Sequence, residues 1–190
     1  AVSLFCIWRC TAIFGYYLKK DLLDIWAYIP AGMAAGMAAV LISLVKSRAG
    51  RQMVQRKKVG AIFLCFFYLT GLAGLTFFNR EQGSRNGLSL LPFETWRFQL
   101  RAVMFEVENV LLFVPAGILL PMVFPGTDRW KRMALLAGLM TLCIETTQLI
   151  TGRGYFQVDD LINNFLGGIL GYALLKICRR KSKLIHGTKC

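Results

Sequence analysis

Residues 59–78 read Val59-Gly60-Ala61-Ile62-Phe63-Leu64-Cys65-Phe66-Phe67-Tyr68-Leu69-Thr70-Gly71-Leu72-Ala73-Gly74-Leu75-Thr76-Phe77-Phe78, without a single charge. A helix of about 20 such residues crosses the ~30 Å hydrocarbon core of a bilayer. Outward from this run the pattern repeats. Residues 22–45 are apolar with one Asp near the start. Residues 110–124 are shorter and carry Pro115 and Pro121. Residues 133–150 hold only Glu145, and 161–178 hold only Lys176, at the end. Residues 2–18 form a sixth candidate, interrupted by Arg9. A central Arg costs ~2.5–3.5 kcal/mol on insertion scales, so this segment spans or lies in the interface. The expectation is an all-α polytopic membrane protein of five or six transmembrane helices.

The composition agrees. Of 190 residues 56% are hydrophobic, and the mean hydropathy is +0.52, which excludes a disordered chain. The net charge of +13 raises the question of nucleic acid. Membrane-length apolar blocks exclude a soluble DNA-binding domain, and no nucleic-acid partner is expected. The 23 cations are explained by their distribution. Segments 46–58 and 125–132 and the tail from Lys176 hold 15 of them. The positive-inside rule puts those three segments in the cytoplasm. The long loop 79–108 and the short loop 151–160 then face outward. Their five cations, Arg80, Arg85, Arg97, Arg101 and Arg153, are all arginine. Arg presents a planar fork that fits phosphate, so Arg80, Arg85, Arg97 and Arg101 are candidate headgroup contacts. Interfacial snorkelling explains each one singly.

Within the long loop the run from Asn79 to Gly87 is polar and glycine-punctuated, hence loop. From Glu94 the pattern turns helical. Trp96, Leu100, Val103, Met104 and Val107 share one face, which predicts an outer amphipathic helix lying on the membrane. The six cysteines read as small core hydrophobes. None falls in an outward loop, and Cys-x-x-Cys is absent. Gly32-x-x-x-Gly36 and Gly167-x-x-x-Gly171 are small-residue faces for close helix approach, within the chain or between copies. A homo-oligomer is therefore one expectation.

The topology brings four polar patches to the outer membrane face. They are Glu106 with Glu108-Asn109, then Glu145-Thr146-Thr147-Gln148, then Arg153, and finally Asp159-Asp160 with Asn163-Asn164. Glu145 and Gln148 share a helix face, as do Asp160, Asn164 and Gly168. A carboxylate within a span is costly unless it meets a partner or a wet cavity. The expected ligand pocket is therefore Asn109, Glu145, Gln148, Arg153, Asp159, Asp160 and Asn164. The only histidine, His186, lies in the cytoplasmic tail, which excludes histidine triads at this face. Phosphate-loop and H-E-x-x-H motifs are absent. Paired carboxylates remain, with Glu145 and Asp160 the catalytic candidates if the protein is an enzyme. No cofactor and no dedicated metal site are expected, a hard divalent cation on the carboxylates being the one alternative.

The stretch from about residue 76 to 179 resembles the VanZ-like family of bacterial membrane proteins. The matching words are Leu88-Ser89-Leu90-Leu91-Pro92-Phe93, the run from Glu108 to Gly117, the run from Glu145 to Ile150, that from Arg153 to Asp160, and that from Asn163 to Tyr172. Ser89 stands where the family usually has Asn, and Ala116 where it has a large apolar residue. The resemblance maps the family's motif onto Asn109, Glu145, Gln148, Arg153, Asp160, Asn164 and Gly168. It implies a protein of the bacterial plasma membrane tied to glycopeptide resistance, teicoplanin in particular. The chain then divides into an N-terminal transmembrane region (1–75), a VanZ-like domain (76–179) and a basic cytoplasmic tail (180–190). The leading expectation is an envelope protein that binds membrane lipid, a lipid-linked wall precursor or a lipoglycopeptide in the polar pocket. A lipid-headgroup hydrolase or transferase is the alternative, and an oligomeric scaffold acting through Gly32-x-x-x-Gly36 the third reading. No inverted repeat supports transport.

Overall fold

The computed structural model describes residues 26–50, 56–83, 85–93 and 100–187. The sixth candidate span, Arg97, Cys6, Cys10 and Cys190 lie outside these. The described chain contains five helices long and apolar enough to cross a membrane. They are α1 (Ile29–Ala49), α2 (Arg56–Ala73), α3 (Leu100–Val123), α4 (Trp130–Thr151) and α5 (Val158–Gly187). Two short strands, β1 (Arg85–Ser89) and β2 (Arg153–Gln157), lie between helices, at the end that the positive-inside rule assigns outward, the opposite end being the one it assigns to the cytoplasm. The chain is an all-α polytopic membrane protein with a small outer ribbon.

The surface is apolar and the interior of the outer half is polar. Leu111, Leu135, Leu139, Leu166 and Leu170 face outward, while Glu106, Glu145, Asp159, Asn163 and Asn164 are buried. That inversion is what lipid as solvent requires. The buried stripe of α4 shows the gradient within one helix. Met133 and Ala137 lie in its cytoplasmic half, and Thr141, Glu145 and Gln148 in its outer half. Ala61, Ile62, Cys65, Ala116, Leu120, Val123, Tyr172 and Leu175 complete the apolar core with Met133 and Ala137.

Helices α3 and α5 form the closest pair in the bundle. A Cβ on Gly167 would strike the Val110 carbonyl oxygen, and one on Gly171 the Val114 carbonyl oxygen. From the other side, a Cβ on Gly117 would strike the Gly168 carbonyl oxygen. Here backbone meets backbone, and no side chain fits. Gly168 faces α4 instead, with the Ala137 Cβ 3.0 Å from where its own would stand. Gly32 and Gly36 pack against Phe67 and Phe63 of α2. The Gly32-x-x-x-Gly36 face is thus used inside the chain.

Two expectations are revised. Residues 100–107 are the first turns of α3 rather than part of a separate surface helix, and the third span begins at Val103. Met104 and Glu106 turn inward while Val103 and Val107 face outward. The apolar stripe read from the sequence therefore divides between lipid and core. The buried polar side, with Glu106, needs helical backbone to carry it into the bundle. Helix α3 also runs through both prolines. Pro115 removes the amide that would serve the Leu111 carbonyl. The Tyr68 hydroxyl donates to the adjacent Leu112 carbonyl at 2.9 Å, the kind of compensation that keeps proline tolerable within a span. Residues 85–89 and 153–157, expected as loop, pair as a parallel ribbon in which Arg85 stands opposite Arg153 and Ser89 opposite Gln157.

At the cytoplasmic end Asp128 accepts from Lys176 Nζ at 2.8 Å, Arg179 Nη1 at 2.6 Å and the Tyr172 hydroxyl at 3.1 Å. Trp130 meets the Tyr172 ring edge-on at 4.7 Å. The Lys176 hydrogen bond, against partial burial and with help from Tyr172 and Arg179, holds the Asp128 carboxyl below its ordinary value.

Two predictions follow from packing and charge. Gly171→Leu forces α3 and α5 apart and costs at least about 1–3 kcal/mol, read as a lower melting temperature in detergent. Gly60→Ala, which meets nothing within 4 Å, leaves that temperature unchanged or slightly raised. A depressed native pKa stabilises the fold above the unfolded pKa, and that contribution is lost as pH falls through the native value. Asp128→Asn therefore lowers stability at neutral pH, by no more than ~1 kcal/mol for so exposed a group. The gap to wild type closes as the buffer is taken below 3.8.

Candidate functional site

The outer end of α2 sets the site's first wall. There the helix widens into a π-helical turn, Gly74–Phe78, closed by the Asn79 amide on the Gly74 carbonyl at 2.9 Å. The last carbonyls of a helix have no amide partner of their own. Side chains from α4 and β2 serve them here. Gln148 Nε2 donates to the Thr76 carbonyl at 3.2 Å, and Arg153 Nη1 to the Phe77 carbonyl at 2.8 Å. Arg80 follows, its Nη1 3.5 Å from the Arg153 carbonyl.

Helix α4 ends at Gly152, whose φ of 63° is the left-handed conformation glycine adopts without penalty. The chain reverses into β2, and Gly154 lies under Arg80 and Gln148. A Cβ there would stand 2.8 Å from Arg80 Nη1 and 2.9 Å from Gln148 Oε1. At the end of the strand, the Gln157 amide donates to Glu145 Oε2 at 3.3 Å. The ribbon thus braces the intramembrane carboxylate with backbone.

The α3–α5 seam supplies the remaining polar contacts. Asn109 Nδ2 donates to Asp160 Oδ1 at 2.7 Å. Asn163 Nδ2 donates to the buried Glu106 carboxylate. Asn164 Nδ2 donates to Thr141 Oγ1 of α4 at 3.1 Å. Asp160 lies close enough to Glu106 and Asp159 to be repelled by both, and Glu145 and Asp160 repel one another. Arg80 attracts both Glu145 and Asp160.

These groups surround a cavity of about 360 Å³. Its polar wall is Thr76, Asn79, Arg80, Glu108, Asn109, Glu145, Gln148, Asp160 and Asn164, and its apolar wall is Leu75, Phe105, Leu111, Leu112, Phe113 and Ile144. Phe105 and Leu111 are each about half exposed to the bundle's surroundings, so this wall reaches the lipid-facing surface. Asn164 is only 4% exposed, yet its Oδ1 has no hydrogen-bond partner. An unmet buried acceptor costs on the order of 1–3 kcal/mol unless something binds it.

The structure places Asn109, Glu145, Gln148, Asp160 and Asn164 at this one cavity, with Arg80 beside them. It directs the other two pocket candidates elsewhere. Asp159 accepts the Phe93 amide at 2.5 Å and holds Phe93 at a positive φ of 63°, a conformation costly for a residue with a Cβ. Its role is to tie the outer loop to α5. Arg153 serves the Phe77 carbonyl and is absent from the cavity wall, with its Nε buried and unpartnered. The backbones of Arg85 and Arg101 lie in β1 and α3; their side chains, like Arg97, fall outside the described residues. Thr141 and Glu106, which bond Asn164 and Asn163 without lining the cavity, were not among the pocket candidates. Thr141 precedes Glu145 by one helical turn on the same face, a spacing visible in the sequence. Glu106 was visible only as one of two nearby glutamates.

The comparisons with known proteins fall on this same region. A family model described as VanZ/LLP1 matches residues 63–179, which contain every cavity residue. Protein VanZ of Enterococcus faecium is 33% identical over 100 residues, 53% of this chain and 57% of that protein. The chain thus spans little more than half the length of this curated relative. No solved structure matches. With most of its length, its outer polar words and its glycine seam inside the matched region, this chain belongs to the VanZ/LLP1 family.

Proposed function

We propose that the protein is a cell-envelope protein of the bacterial plasma membrane that lowers susceptibility to teicoplanin-type glycopeptides and lipoglycopeptides. It does so by binding an amphiphile, either the drug's lipid-bearing part or a lipid-linked wall precursor, in the outward-facing cavity. Family membership supports the resistance role, through the namesake's association. The observation that carries the binding role is the cavity's construction. A buried, hydrogen-bonding floor with an unmet acceptor at Asn164 Oδ1 adjoins an apolar wall that opens toward lipid. Packing alone gives no reason to keep such a space, since interhelical hydrogen bonds average only ~0.6 kcal/mol.

The enzymatic alternative, a lipid-headgroup hydrolase or transferase, has one observation in its favour. Glu145 and Asp160 share the cavity and interact electrostatically, which suits a pair exchanging acid and base roles. It predicts a chelator-sensitive or Glu145-dependent change in lipid composition on expression.

The test is the teicoplanin inhibitory concentration of a susceptible host expressing the wild type, Glu145→Ala or Asp160→Asn, with membrane insertion measured for each. The wild type is expected to raise that concentration several-fold. Each variant, inserted at wild-type level, returns it to the host's baseline. Inserted variants that protect as well as the wild type would remove the cavity from the mechanism.

A further inference from the structure

The cavity's lining leans toward acceptors and negative charge. Each amide around the α3–α5 seam and the α4 wall gives one N–H to a protein acceptor. Asn109 donates to Asp160, Gln148 to the Thr76 carbonyl, Asn163 to Glu106 and Asn164 to Thr141. Beside them stand acceptors, the carboxylates of Glu145 and Asp160 that line the cavity and the buried, unmet Oδ1 of Asn164 at its wall. The charges lean the same way. Among the described residues, Glu108, Glu145 and Asp160 line the cavity against one cation, Arg80. A ligand that satisfies this floor brings N–H donors and positive charge. An anion placed between those carboxylates would meet repulsion.

A divalent cation answers the charge but not the geometry. Among the described residues no three His, Cys, Asp or Glu side chains converge as metal ligands, whereas Mg²⁺ and Ca²⁺ take six or more oxygens. Two carboxylates and an amide oxygen suit the three N–H donors of a primary ammonium. Arg80, next to the outer ribbon through the Arg153 carbonyl, adds a planar cation at the same cavity, a group suited to a phosphate. The half-exposed Phe105 and Leu111 leave an apolar exit toward lipid.

We propose that the cavity takes the head group of an aminolipid, with a primary ammonium held by Glu145, Asp160 and Asn164 and the adjoining phosphate held by Arg80. This rests on the amphiphile-binding reading and adds a membrane lipid to its ligands. The acyl chains leave past Phe105 and Leu111. Specificity lies in the N–H donors, so a quaternary ammonium of equal charge binds less well.

The test titrates the detergent-purified wild-type protein with short-chain phosphatidylethanolamine, phosphatidylcholine, phosphatidylglycerol and free phosphoethanolamine, each read by native mass spectrometry. Phosphatidylethanolamine is expected to bind about tenfold or more tightly than either other lipid, the order set by one charge-assisted hydrogen bond. Free phosphoethanolamine, lacking the apolar contacts, binds more weakly still. Asn164→Leu and Glu145→Gln each lower the preference for phosphatidylethanolamine toward one. Equal binding of phosphatidylcholine, or tighter binding of phosphatidylglycerol, overturns the aminolipid assignment. If those lipids bind and Glu145→Ala abolishes it, the amphiphile reading survives that failure. If no lipid binds above the level of Glu145→Ala, the aminolipid assignment falls, and the drug or wall-precursor reading is decided by the inhibitory-concentration test. Free phosphoethanolamine binding as tightly as the lipid would assign the site to a soluble amine phosphate and overturn the lipid half. The head-group series uses only the wild type, so misfolded variants leave the outcome decisive.

Discussion

The outer half of this protein depends on how closely α3 and α5 approach. Gly117, Gly167 and Gly171 let main chain touch main chain along that seam. Asn109 reaches Asp160, and Asn163 reaches Glu106, only because the two axes are this near. Lipid supplies no hydrophobic drive for helices to associate, so dispersion over such contacts must hold the pair. A methyl group at Gly167 or Gly171 would open the seam at its middle. The polar contacts at its outer end would lengthen with it. The glycines and the asparagine–carboxylate bonds are therefore one device, with shape below and hydrogen bonding above.

The second organising fact is that the polarity of the core changes along the membrane normal. On α4 the buried stripe passes from Met133 and Ala137 to Thr141, Glu145 and Gln148. On α5 it runs from Asp159, Asn163 and Asn164 toward Tyr172 and Leu175. The cytoplasmic half is an ordinary apolar core, closed by Asp128 bridging Lys176 and Arg179. The outer half buries carboxylates and amides where each unpaired group is expensive. Most are paired, whereas Asn164 Oδ1, like Arg153 Nε, is not.

Much of this was legible in the sequence. Hydropathy located the last four spans to within a few residues, apart from the start of the third, because lipid-facing positions must be apolar whatever the helix packs against. The expectation of close approach at Gly167 and Gly171 needed only the spacing of small residues. Grouping Asn109, Glu145, Gln148, Asp160 and Asn164 needed only topology and helix periodicity. What sequence could not supply was the choice of partner. Asp159 and Asp160 are adjacent, yet about 100° apart on the helix one ties down the Phe93 amide and the other faces the cavity. Arg153 looked like a ligand for anions but is spent on a helix-end carbonyl, which depends on the π-helical turn that ends α2. The first turns of α3 misled for a different reason. An amphipathic stripe reads as a surface helix when its polar side is assumed to meet water. Here that side carries Glu106 and meets Asn163.

The parallel ribbon explains why so polar a site can be stable at the membrane's edge. A loop crossing between α4 and α5 would leave main-chain groups facing lipid or competing for the cavity's side chains. Pairing β2 with β1 satisfies much of that backbone within the ribbon. The amide of Gln157 is then turned onto Glu145. The ribbon therefore has three fixed attachments. One is Arg153 on the end of α2, one is Gln157 on α4, and the third is the turn at Phe93, pinned to α5 through Asp159. On the lipid-facing side the cavity wall includes Phe105 and Leu111, each about half exposed. A ligand that lives in the bilayer reaches that side without first leaving the membrane.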